Sequence, residues 1–195
     1  MPDTGAPWNI PYVESSDIVS DWPADSLALA NAIDAGLDAA GNAGIGSNVV
    51  QTVKTDTFST TSASYTPVTG LTATITPSSA TSKVLVIVQV STSGTGPGFM
   101  RLSGGNAANY EGDSDGASRV ESAIMPWGGD GNFGYSFPIV YLDSPATTSP
   151  VTYGVDVRRG GISTYTIYVN QSADDSNNTN RGRFASSITA IEVAA

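Results

Sequence analysis

The stretch EGDSDGASR, residues 111–119, sets several side-chain oxygens close together. Asp113 and Asp115, followed by Gly116, are a fragment of the oxygen-rich loops that hold calcium. An EF-hand counted from Asp113 needs a bidentate glutamate at its twelfth position, and Ile124 stands there. The stretch therefore reads as a turn bearing surface carboxylates, with Asp113 and Asp115 the only metal candidates; no cofactor is expected. Glycoside hydrolysis would need two carboxylates held roughly 5–10 Å apart. Glu111, Asp113 and Glu121 are available for that, but so are the acids of any acidic loop.

Other chemistries are closed by composition. The chain has no histidine and no cysteine. That excludes a Ser-His-Asp triad, a histidine general base, HExxH metal sites, thiolate nucleophiles and cysteine-ligated zinc. It also leaves the redox compartment unmarked. The expectation is a protein that is not an enzyme.

Binding is the better use for the polar loops. Trp127 sits between Pro126 and Gly128, and Tyr110 between Asn109 and Glu111, while Asp130 falls in GGDGN, a tight hairpin turn. Exposed aromatic faces stack on sugar rings, and Asn, Asp and Arg bond their hydroxyls. Trp127, Tyr110 and Asp130 are thus the receptor-binding candidates; the competing reading buries both aromatics at strand ends or between copies. SADDSNNTNRGRF, residues 172–184, reads as a polar connection in which Arg181 and Arg183 pair with nearby acids.

The net charge of −10 argues against nucleic acid, whose binding rests on Lys and Arg neutralising phosphates. Seven acids and no base precede Lys54, whereas the eleven later acids face all eight basic residues. The front of the chain differs in kind from the rest. No window approaches the roughly 20 apolar residues of a membrane span. MPDTGAPW lacks the basic and apolar regions of a signal peptide, so synthesis in the cytoplasm without conventional secretion is expected.

The elements that must position these residues follow from spacing. Residues 1–23 combine Pro2, Pro7, Pro11 and Pro23 with the isolated large apolar groups Trp8, Ile10, Tyr12, Ile18 and Trp22. Two readings are open: a leader folded back on its own domain, or an extended strand whose aromatic anchors dock in a partner's groove. The spacing favours docking. A short helix is expected over 24–41. Ser20 or Asp21 can cap it, Pro23 suits its first turn and Gly41 stops it. Ala30, Ile33, Leu37 and Ala40 step by three, four and three, a coiled-coil seam that Leu27 widens. That seam serves either a self-associating bundle or one amphipathic helix packed on a sheet. Two heptads are too few to hold a helix alone in water.

The Gly-rich residues 42–47 read as a hinge, and from Asn48 to the end the chain is a run of strand signals between turn clusters. VVQTVKTDTFS alternates, LTATITP puts Leu71, Ala73 and Ile75 on one face, and FGYSFPIVYLD gathers Phe133, Tyr135, Phe137, Ile139 and Tyr141, with Pro138 marking an edge or a bulge. TYGVDVRR, TYTIYVN and SSITAIEVAA follow, with shorter strands near 99–102 and 118–125. KVLVIVQV, residues 83–90, is apolar on both faces and predicts a central strand buried twice. Eight to ten antiparallel strands fit a mainly β, jelly-roll-like sandwich. In such a two-layer sandwich a second apolar face needs covering, most simply by another copy.

QTVKTDTFSTTSASYTPVTGLTATITPSSATSKVLVIVQVS resembles the opening of a domain found in tail fibres and other virion appendages of bacteriophages. YLDSPATTSPVTYGVDVR and YVNQS…GRFASSITAIEV are similar to its second half, and the leader is similar to fibre anchors of the SDWPA…ALA.AID kind. The match is strong at 48–92, 139–158 and 166–193, weaker at 8–40, and absent from the loops at 93–132. Its motifs are structural rather than catalytic. The resemblance implies a homotrimer in the virion: Trp8, Ile10, Tyr12, Ile18 and Trp22 anchoring to other tail or capsid proteins, a helical stalk, and a β head meeting a glycan or protein receptor on the host. A capsid head fibre or decoration protein has the same architecture. A sugar-cleaving spike is the third reading, for which the chain is short beside the long β-helices of phage depolymerases.

Overall fold

A computed structural model of the chain describes residues 22–42, 45–113, 119–125, 133–161 and 164–194. The chain divides into two units, residues 1–47 and 48–195. In the first, helix α1 spans Trp22–Asn42, two residues earlier than expected, because Pro23 is well placed in a first turn, where its missing N–H costs nothing. Trp22 therefore opens the helix instead of ending an extended leader. Strand β1, Ile45–Lys54, begins inside the stretch read as a hinge.

The second unit is mainly β, built from two antiparallel sheets. The larger holds β1, β2 (Phe58–Thr60), β4 (Lys83–Gly94), β6 (Tyr135–Asp143), β8 (Ile167–Val169) and β9 (Ser186–Val193). The smaller has the order β3-β7-β5, from β3 (Thr66–Ile75), β7 (Val151–Arg159) and β5 (Gly98–Ser103). VVQTVKTDTFS, read as one strand, is split between β1 and β2 by the turn at Thr55–Thr57. Of the strand expected near 118–125, the described residues keep a single bridge, Met100 to Ile124.

Strand β4 organises the larger sheet. Along one side it pairs with β6, from Val84–Asp143 to Thr92–Tyr135. Its other side takes β9 as far as Gln89–Ser187, and then β8 from Thr92 to Gly94. Pro138 is tolerated in β6 because that strand is an edge, where a missing N–H breaks no second ladder.

Alternation builds the core. Val84, Val86, Val88 and Val90 of β4 are fully buried, with Ile139, Ile188 and Ala190 from the flanking strands. They share one cluster with Leu71, Ala73 and Ile75, Tyr153, Val155 and Val157, and Met100 and Leu102 of the smaller sheet. Each large aliphatic chain so buried contributes about 1.5–3 kcal/mol.

Polar groups at the rim of this core are matched. Tyr153 of β7 donates its hydroxyl to Asp143 Oδ2 of β6 at 2.7 Å, a buried bond between the two sheets. Burial, and then this bond, pushes the phenol pKa well up. The same carboxylate accepts the amides of Asn106 (3.2 Å) and Ser144 (2.8 Å). Gly105, at φ 51°, makes that approach possible, since a Cβ there would collide with Asp143 Oδ2. Glu192 of β9 is equally buried. It accepts the Ser78 amide (2.7 Å), the Ser78 hydroxyl and the Asn48 side-chain amide (3.2 Å). Burial alone would raise its pKa, but these donors hold it down at about 2.

A third network ties the end of β1 to the β8–β9 connection. The buried Lys54 ammonium pairs with Asp56 at 2.7 Å. Asn170, left-handed at φ 63°, donates its side-chain amide to the carbonyls of Lys54 (2.8 Å) and Asp56 (3.0 Å). Ser186 in turn donates to Asn170 Oδ1 at 2.6 Å.

Candidate interaction surfaces

The outer face of the larger sheet is apolar over four strands. Leu85 stands between Leu142 of β6 and Ile191 of β9 in direct register. On the far side of β9, Gln51 donates to Thr189 Oγ1 (2.9 Å) and Asn48 to Glu192. Both pairs fit one antiparallel register, which sets Val49 beside Ile191. The next row aligns Ile87 with Val140 and Thr189. Val49, Val53, Val140 and Leu142 are about half exposed, and Ile87 is 38% exposed. Strand β4 is thus central in its sheet, as its sequence requires, but buried on one face only within a single chain. Monomeric soluble proteins rarely leave contiguous apolar patches of this kind; they mark contact sites.

Helix α1 shows the same feature separately. Leu27 and Leu37 are 61% and 65% exposed, Ile33 is 43% exposed, and Ala30 is exposed beside them. The Ala40 side chain lies outside the described ones. Most helical stability in proteins comes from packing of an apolar face rather than from the helix's own hydrogen bonds.

Most of the candidate loop and leader residues fall outside the described ones. Trp8, Ile10, Tyr12 and Ile18 are outside the described residues, as are Asp115, Trp127 and Asp130. Asp113 is exposed, and among the described residues no three acids gather as for a metal ion. Tyr110 is half turned to solvent, with its ring 5.4 Å from that of Tyr141 in tilted contact. Arg181 pairs with Asp174 (2.8 Å) and Arg183 with Asp175, the local pairing that the sequence suggests.

One concave surface was not foreseen from sequence. At one end of the smaller sheet, Pro97, Phe99, Val120, Met125, Arg158 and Tyr165 line a groove of about 850 Å³. Phe99 and Arg158 are direct cross-strand partners on β5 and β7. The available signal was RR at the end of β7, which antiparallel pairing carries to the aromatic start of β5.

No protein-family model matches this sequence, and no curated protein is significantly similar to it. The assignment of function therefore rests on the chain's own residues.

Proposed function

We propose that the chain is a structural protein of the virion: a short bacteriophage tail fibre, homotrimeric, that docks on the tail through residues 1–23 and meets the host surface through its β head. The head is a jelly-roll-like sandwich in this reading, and α1 is a three-stranded stalk. The observation that carries it is the pair of apolar surfaces left open in one chain. Leu27, Ile33 and Leu37 on the helix, and Ile87, Val140 and Leu142 on the sheet, are costly in water and become stabilising once a second and third copy cover them. The resemblance of residues 48–92, 139–158 and 166–193 to phage appendage domains supplies the biological setting.

Imaging of intact particles with a tag fused after Ala195 tests the placement. Label confined to the tail supports the fibre. Label over the capsid shifts the assignment to a head fibre or decoration protein of the same build, and unlabelled particles overturn both. Deleting residues 1–23 leaves a soluble head that no longer enters particles; unchanged incorporation contradicts the anchoring role.

A further inference from the structure

We propose that the groove between Phe99, Met125, Arg158 and Tyr165 binds a carboxylate-bearing saccharide, a uronic or sialic acid residue of a glycan. The inference deepens the receptor-binding part of the function proposed above, and rests on it for biological meaning.

The groove combines two features that such a ligand needs. Its walls are apolar: Phe99, Pro97, Val120 and Tyr165 are partly exposed, and Met125 is 52% exposed at the rim. Ring and thioether surfaces of this kind suit the C–H face of a pyranose. The volume of about 850 Å³ is that of a built small-molecule site.

The groove also holds positive charge in a chain of net charge −10. Arg101, one row from Arg158, is neutralised by Asp156 at 3.1 Å and Glu111 at 3.5 Å. Arg158 is held differently. Its guanidinium carbon lies 5.7 Å from the Tyr65 ring centre and 6.0 Å from that of Phe99, and its Nε donates to the Arg159 carbonyl at 3.3 Å. Among the described residues no carboxylate pairs with it. Two ring faces thus orient the fork and leave its terminal N–H groups for a ligand. A carboxylate accepts that fork in bidentate fashion, which a neutral sugar hydroxyl cannot match.

The rings are themselves fixed. Tyr165 lies against Gly96, where any Cβ would fall inside its ring. Tyr65 donates its hydroxyl to the Glu121 carbonyl at 2.6 Å, and burial, then the charge of Glu111, lifts its pKa to about 12, so it stays neutral beside the arginines. Apolar walls alone would admit many partners. The ring-held guanidinium, which among the described residues pairs with no carboxylate, selects an anion, and its setting among rings selects one attached to a sugar.

The test titrates full-length protein with tetragalacturonate and with sialyllactose, each beside its methyl ester, and with lactose as the neutral control. At least one acid is expected to bind at least about tenfold more tightly than its ester and lactose; which one it is separates a uronic from a sialic ligand. Arg158→Gln and Met125→Glu should each weaken that binding about tenfold or more, with oligomeric mass and thermal midpoint unchanged. Met125 is exposed enough for its variant to fold even if the Arg158 variant does not. Equal affinity for acid and ester, no binding at millimolar ligand, or binding unaffected by Met125→Glu overturns the proposal. So does a change of oligomeric mass in either variant, which would make the groove a contact between copies. Should purified protein still coat host cells while no acid binds, the receptor role stands and only this site falls.

Discussion

Ile87 of β4 lies directly across from Val140 of β6 on the outer face of the larger sheet, and each leaves more than a third of its surface open. The pair sits beside the row formed by Leu142, Leu85 and Ile191. In the proposed homotrimer this face is covered by another copy. Ile87→Glu combined with Val140→Glu should weaken association at least about tenfold, since each aliphatic chain returned to water forfeits about 1.5–3 kcal/mol. Light scattering against dilution measures this, with the β signal in circular dichroism retained. Unchanged mass in the double variant contradicts the role given to this face.

Leu37→Glu places a charge in the middle of the helical seam. The expected result is loss of most of the helical signal from α1 with the β head intact, because most helical stability comes from packing of an apolar face. Leu37→Met, which keeps volume and apolarity, should behave as wild type. Undiminished helicity in Leu37→Glu would contradict the three-stranded stalk proposed for this seam.

Tyr153→Phe removes the buried bond that joins the sheets and leaves Asp143 with two amide donors. A loss of about 1.5–3 kcal/mol is expected, the range for a hydrogen bond to a charged group. Urea unfolding monitors it as a lower midpoint with an unchanged slope. A loss below about 0.5 kcal/mol would show that the bond does not hold the sheets together.

Glu192 makes stability depend on acid. Its folded pKa of about 2 lies below the ordinary 4.5, so the folded state holds the charged form more firmly than the unfolded chain does. The stabilisation is complete above pH 4.5 and is lost as pH falls from there through about 2. Glu192→Gln should lower stability at neutral pH by about 1–3 kcal/mol and flatten the acid limb of the stability profile. A variant with the same acid limb as wild type would move the acid sensitivity to other carboxylates.

Sequence alternation made the β framework readable. Leu71, Ala73 and Ile75, and again Tyr153, Val155 and Val157, point inward where period two places them. KVLVIVQV marked the central strand because no surface strand spends that many aliphatic residues. Buried charge was not readable. Glu192 finds its donors at Ser78 and Asn48, more than a hundred residues away, and local pattern carries no trace of such pairings. Lys54 likewise looks like a solvent-facing residue of an alternating strand, yet its side chain is fully buried. The groove leaves no local signature for the same reason: Phe99, Met125, Arg158 and Tyr165 come from four separated segments, whereas Trp127 and Tyr110 each stand out within their own loop. The helix seam was legible in spacing, but the same spacing serves a self-associating stripe and one packed on a sheet.

The claim on which the rest depends is that one chain is an incomplete unit. Multi-angle light scattering of the full-length protein at micromolar concentration tests it most directly. Three copies of the 19.9 kDa chain predict a mass of about 60 kDa. A mass near that of one chain, stable across dilution, would contradict the account.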